Sequence, residues 1–358
     1  MKATRALHDL GQSLWLDNIT RELLETGTLK RYIDELSVTG LTSNPTIFNN
    51  AISRSNAYDE DIRKLRASGL SGEILFGRLA IQDLTRAAEL FEPIHRRTAG
   101  FDGFVSLEVS PLVAYDAEKT LVQAQRVHKK ASIPNLLVKI PGTKEGLPAI
   151  EEAIFAGIPI NVTLLFSREH YLAAANAYLR GIERRIEAGR SPEVTSVASL
   201  FLSRWDVAVA EKAPAELRNR LGVAIGRQTY QAYRDLLESD RWQRLANEGA
   251  RPQRLLFAST GTKDPKASDI LYVRGLAAPN TINTIPEKTL LAFGDHGEVA
   301  GAIPRDGGDA QQVLTAFTRA GVDPDELAAR LQKEGAESFV ASWRDLMGAV
   351  ESKGKQLG

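Results

Sequence analysis

Eight short apolar runs recur along the chain, each closed by a polar residue, a Gly or a Pro, with longer stretches of helical spacing between them. The first, Ser13-Leu-Trp-Leu-Asp17, alternates with a period of two and puts Trp15 and Asp17 on one face. Gly40-Leu-Thr-Ser-Asn-Pro45 predicts a second strand, ended by its proline. Phe101 to Val109 predicts a third, in which Phe104, Ser106 and Glu108 share a face, and Leu136 to Ile140, ended by Pro141-Gly142, predicts a fourth. Pro159 to Phe166 is the fifth, with Asn161 and Thr163 on one side. Thr195 to Phe201, Arg254 to Thr260 and Asn280 to Ile285 are the last three.

The segments between them read as helices. Asn18 caps a helix over Thr20 to Glu25, Gly27 breaks it, and a second continues to Leu36. Tyr58 to Thr98 is helical with a break near Gly69-Leu-Ser-Gly72, and Asp116 to Lys130 spaces Leu121, Val122, Ala124 and Val127 along one face. Further helices are predicted over Leu147 to Phe155, Arg168 to Ala188, the region after Phe201 up to Asn247, and Asp309 to Ser352. Strand and helix alternate without a Gly-, Pro- or Ser-rich linker or a short-period repeat. Eight such units predict one α/β domain over residues 1–358, a (β/α)8 TIM barrel with inserted and C-terminal helices, in preference to an open doubly wound sheet.

Composition narrows the function. Of 358 residues, 43% are hydrophobic and 25% charged, enough to bury a sizeable core. Lys plus Arg equals Asp plus Glu at 45 each, so no global field favours nucleic acid or an anionic membrane. With no cysteine there is no disulfide and no thiolate ligand or nucleophile. Met1 to His8 has no apolar signal core, so a soluble cytoplasmic protein is expected, with monomer and homodimer both open.

In a barrel, catalytic groups sit at the carboxyl ends of strands. Asp17, Asn44, Glu108, Lys139, Asn161 with Thr163, and Ser199 fall near the ends of six predicted strands. Singly, each has a simpler use: Asp17 before Asn18 can start a helix, and Asn44-Pro45 can form a turn. Jointly, two acids and a lysine converge on one barrel mouth. Lys139 lies inside an apolar run, where an ammonium is costly unless it is paired or loses its proton. Burial of a lysine favours the amine, the form that a Schiff-base nucleophile needs, and carboxylates move the protons of imine chemistry.

Leu14-Trp-Leu-Asp-Asn18, Gly40-Leu-Thr-Ser-Asn-Pro-Thr-Ile-Phe48, Val138-Lys-Ile-Pro-Gly-Thr143 and Asn161-Val-Thr-Leu-Leu-Phe-Ser167 resemble the transaldolase family, and the likeness runs in order from Trp15 to Lys288. The resemblance implies a class I aldolase barrel that moves a dihydroxyacetone unit between sugar phosphates, with no metal or cofactor. By motif, Lys139 corresponds to the Schiff-base lysine, Glu108 and Thr163 to the anchors of a proton-shuttling water, and Asp17 to the base at the donor C4 hydroxyl. Thr42, Asn44, Asn161 and Ser199 correspond to residues that hold the dihydroxyacetone unit. Phe201 is similar to the phenylalanine that transaldolases have where fructose-6-phosphate aldolases carry tyrosine. Arg204 matches the phosphate arginine. The chain departs from the better-known branch after the seventh strand, where Ala258-Ser-Thr-Gly-Thr-Lys263 makes Ser259, the Gly261 backbone and Lys263 the remaining phosphate candidates, against a plain loop lysine at Lys263. The segment from Asn50 to Phe101 and the C-terminal helices follow the family only loosely.

Three other readings remain to be weighed. A metal-dependent aldolase needs histidines at the mouth, and none of the five lies in a predicted strand. A fructose-6-phosphate aldolase would cleave with the same lysine, which Phe201 and the inserted helices oppose. A binding protein without turnover has no use for Lys139, Glu108 and Asp17 together.

Overall fold

In a computed structural model that describes residues 2–357, eight strands are hydrogen-bonded in chain order, all parallel, into a closed barrel. They are Ser13–Leu16 (β1), Val38–Leu41 (β2), Val105–Glu108 (β3), Leu136–Pro141 (β4), Ile160–Leu165 (β5), Ser196–Phe201 (β6), Arg254–Ala258 (β7) and Ile282–Ile285 (β8). Every strand residue is buried, as expected of parallel strands covered by helices outside and filled by side chains within. The predicted (β/α)8 architecture is therefore present. No helix among the described residues is long and apolar enough to cross a membrane.

Two strands depart from the sequence reading. β2 starts at Val38 and ends at Leu41, so Thr42-Ser43-Asn44 lies beyond the sheet. Gly40 is inside β2 because Trp15 packs against it: a Cβ there would lie 2.6 Å from the indole nitrogen. Asn44-Pro45 opens a helix, Pro45–Ser53, in place of the turn. The Asn44 side-chain oxygen accepts from the Ile47 N–H at 3.0 Å, and Pro45 occupies the first turn, where its missing N–H costs nothing. β3 starts only at Val105. Before it, Asp102 accepts from the Trp15 indole N–H at 2.8 Å and from the Ser13 hydroxyl, which closes the barrel floor. Arg254 joins them, donating to Ser13 and to the Thr281 carbonyl at 2.8 Å each.

The opposite end is roofed by a 34-residue helix, Pro324–Leu357. Its Trp343 meets Phe76 edge-on with centroids 5.4 Å apart, its Ser342 shares a 2.7 Å hydrogen bond with Thr46, and Lys353 pairs with Asp59 at 2.6 Å.

Candidate active site

At the carboxyl end of the barrel a cavity of about 290 Å³ is walled by Asp17, Thr42, Asn44, Lys139, Thr163, Ser199, Phe201, Arg204, Ser259, Gly261 and Lys263 among others. The parallel register sets the chemistry side by side. Glu108 pairs with Lys139 across β3 and β4, and Lys139 with Asn161 across β4 and β5. Since Cβ directions alternate along a strand, residues at one level with the same parity enter the barrel together.

Lys139 is 5% and Glu108 7% exposed, so both ionisable heads are withdrawn from water. The Lys139 ammonium nitrogen donates to the Ser43 carbonyl at 3.0 Å and lies 3.7 Å from Glu108 Oε2, beyond hydrogen-bond reach. Both Glu108 oxygens and the Thr163 hydroxyl are buried without a hydrogen-bond partner among the described residues. Burial drives the Glu108 carboxyl up to about 7. The Lys139 cation opposes that rise and the Asp17 charge adds to it. Burial also raises the Asp17 carboxyl above its usual range, against the pull of Lys139, a hydrogen bond from Thr42 and the charge of Lys263. That bond is 2.8 Å long, and Thr42 shares a second, 2.6 Å bond with Thr284. Two carboxyls with raised proton affinity thus act on one lysine, Asp17 from the cavity wall and Glu108 buried beside Lys139 but outside that wall, an arrangement suited to proton transfer around a covalent amine intermediate.

The remaining candidates divide by what already engages them. Asn44 lines the cavity with its oxygen committed to the helix cap, so its amide NH2 is the group left for a ligand. Asn161 is fully buried and held on both sides: its amide donates to Ser106 at 3.2 Å and its oxygen accepts from Ser199 at 2.7 Å. Ser199, and not Asn161, is part of the cavity wall. Phe201 packs against Phe166 in a tilted pair and against Phe339 edge-on, at 5.4 and 6.4 Å between centroids, and Arg204 lies over its ring at 5.6 Å. Arg204 makes no ion pair or hydrogen bond among the described residues, and burial lowers its proton affinity. Ser259 shares a 2.8 Å hydrogen bond with Ser203 and adopts φ +55°, while Gly261 and Lys263 complete the same side. An uncommitted guanidinium and ammonium beside a glycine turn form a cradle for an anion.

Phe339, Thr284 and the Ser43 carbonyl escaped the sequence reading. Thr284 and Ser43 lie inside the predicted segments Asn280 to Ile285 and Gly40 to Pro45 without an assigned role, whereas Phe339 comes from the roof helix, which no local pattern links to the mouth. All five histidines lie in helices, and among the described residues no three His, Asp or Glu side chains are placed to hold a metal ion. A groove of about 550 Å³ beside Arg21 is larger than the mouth cavity, but its charges are paired with one another, Arg21 with Asp61 at 2.6 Å and with Asp83 at 3.0 Å. Convergence of unpaired groups, and not size, marks the site.

Residues 14–350 match the family described as Transaldolase/Fructose-6-phosphate aldolase, so the likeness extends past Lys288 into the roof helix. A transaldolase of Saccharopolyspora erythraea is 43% identical over 355 residues, 97% of this chain and 96% of that relative. A transaldolase of Thiobacillus denitrificans is 44% identical over 358 residues, covering 98% and 100% of the two chains. The protein named Transaldolase 2 of a Nostoc species is 37% identical over 370 residues, 98% of this chain and 97% of that one.

Proposed function

The chain belongs to the transaldolase/fructose-6-phosphate aldolase family and functions as a transaldolase, and from that premise we propose that Lys139 carries the transferred unit as a Schiff base. The donor is sedoheptulose 7-phosphate or fructose 6-phosphate and the acceptor glyceraldehyde 3-phosphate or erythrose 4-phosphate, in the non-oxidative pentose phosphate pathway of the cytoplasm.

The amine of Lys139 attacks the donor C2 carbonyl. Glu108, working through a water anchored at Thr163, protonates the departing hydroxyl as the carbinolamine dehydrates. Asp17 takes the proton of the C4 hydroxyl while the C3–C4 bond breaks, which releases the first aldehyde and leaves an eneamine on Lys139. C3 of the eneamine attacks the carbonyl carbon of the second aldehyde, Asp17 returns the proton to the new hydroxyl, and hydrolysis of the imine frees the product and the Lys139 amine. Asn44 and Ser199, with Asn161 bracing Ser199, hold the dihydroxyacetone hydroxyls. Arg204, Lys263, Ser259 and the Gly261 backbone take the phosphate. The aromatic wall of Phe201 keeps water from the eneamine until the acceptor arrives, which supports transfer over simple cleavage.

The observation that carries this reading is the buried Glu108 carboxyl, without a hydrogen-bond partner and 3.7 Å from the Lys139 nitrogen. Unsatisfied buried groups destabilise a fold, so their persistence beside a nucleophile calls for a chemical use. Borohydride reduction in the presence of fructose 6-phosphate, followed by peptide mass mapping, tests it. A reduced dihydroxyacetone adduct on Lys139 is expected. An adduct on another lysine, or none while turnover continues, overturns the assignment.

A further inference from the structure

We infer that Gln332, on the roof helix, is a positioning residue for the Lys139 chemistry; the inference rests on the Schiff-base reading above. Its side-chain amide donates to the Gly142 carbonyl at 3.1 Å and to the Leu164 carbonyl at 2.9 Å. Gly142 is three residues beyond Lys139, and Leu164 directly follows Thr163. One NH2 group therefore bridges the backbone that leaves the nucleophile and the backbone that carries the Thr163 hydroxyl.

That backbone needs support. Leu164 has φ +61°, in the left-handed region that residues with a Cβ seldom adopt, and the β5–β6 register is interrupted between Val162 and Leu165. The kink is held on one side by the Gly142 N–H donating to the Thr163 carbonyl at 2.7 Å, and on the other by Gln332. Without Gln332 the two carbonyls lose their shared donor, and the Thr163 hydroxyl can shift from its place in the cavity wall beside Lys139. A shift on the order of 1 Å in a catalytic group lowers rates steeply.

The same face of the helix continues along the mouth. Gly335 lies against Arg204 and Leu164, Phe339 against Phe201, and Ser342 against Thr46, a spacing of three, four and three residues from Gln332 that keeps all four in one stripe. The roof does not depend on Gln332 for attachment, because Trp343, Ser342 and Lys353 anchor it elsewhere. A purely structural role and a positioning role therefore separate in experiment.

The test uses the full chain and follows formation of the borohydride-trappable Lys139 adduct in single turnover with fructose 6-phosphate. Gln332→Met keeps length and helix propensity but removes the donor. It is expected to slow adduct formation by about tenfold or more, with the melting temperature lowered by only a few degrees, the chain folded at the assay temperature and the half-saturating fructose 6-phosphate concentration unchanged. Gln332→Glu, which presents acceptors to two carbonyls, should slow it as well, whereas Lys333→Met, at an exposed neighbour, should match the wild type. Adduct formation at the wild-type rate in Gln332→Met, or slowed only in proportion to an unfolded fraction seen by circular dichroism, overturns the inference. If the wild type itself forms no adduct on Lys139, the Schiff-base reading falls, and this inference with it.

Discussion

The two ends of the barrel bury similar charged groups and treat them in opposite ways. On the floor, Asp102 accepts from Ser13, Trp15 and its neighbouring Gly103 N–H, and Arg254 donates to Ser13, Thr281 and Phe101, so only its Nε lacks a partner. At the mouth, Glu108 and Thr163 have no hydrogen-bond partner among the described residues, and Arg204 lies uncommitted over Phe201. Satisfied polar networks fix a structure, whereas groups left unsatisfied retain the capacity to bind and to exchange protons. One sheet thus holds rigidity and reactivity at its two rims, separated by a few strand residues.

The sharpest break between the two ends comes from Lys139→Ala. Turnover of fructose 6-phosphate with erythrose 4-phosphate should fall by several orders of magnitude, while thermal unfolding hardly shifts. Near wild-type turnover would remove Lys139 from the chemistry. Glu108→Gln should slow adduct formation by about 10²- to 10⁴-fold, and the bend in its rate near pH 7 should vanish. The same carboxyl gives a stability signature. Its proton is held up to about 7 in the fold but only to an ordinary value of 4.5 in the unfolded chain. The folded state therefore binds more protons across that window, and stability declines as pH rises through it. Chemical denaturation between pH 4.5 and 7 should show a steeper decline in the wild type than in Glu108→Gln, which retains the contribution of Asp17 and the other buried carboxyls.

On the floor the effect is expected to reverse. Asp102→Ala removes the counter-charge of buried Arg254 and should cost about 3–5 kcal/mol in urea denaturation, with turnover per folded molecule unchanged. A parallel fall in specific activity would show that the two ends are mechanically coupled. The smallest effect is expected from Gly335→Ala, whose Cβ would lie 3.1 Å from both the Arg204 guanidinium and the Leu164 side chain. Half-saturation by fructose 6-phosphate should rise a few-fold, and that by unphosphorylated fructose should not.

Most of the barrel was legible because parallel strands are buried on both faces and read as apolar runs interrupted at the mouth by polar residues. Lys139 inside Leu136 to Ile140 is the clearest case. β2 is displaced from its expected place because Thr39-Gly40 dilutes its run, and the reason for Gly40 is Trp15, its register partner on the adjacent strand β1. Asn44-Pro45 held a helix-start signal that also fits a turn, and only the bond to Ile47 decides between them. Asp102 was hidden by its place inside an expected strand. Gln332 and Phe339 were out of reach for a different reason: a helix face becomes meaningful only once its docking is known, and Gln332 acts on carbonyls 190 and 168 positions away.

The roof helix also separates, along the chain, the parts of the mouth from one another. The barrel can close once β8 pairs with β1, at Ile285, yet the wall opposite Phe201 arrives only with Phe339. On the proposed reading, a chain ending between those two points would carry Lys139 without the aromatic cover that Phe339 adds to the mouth. In chain order, the cover of the amine therefore comes after the amine and the barrel that holds it.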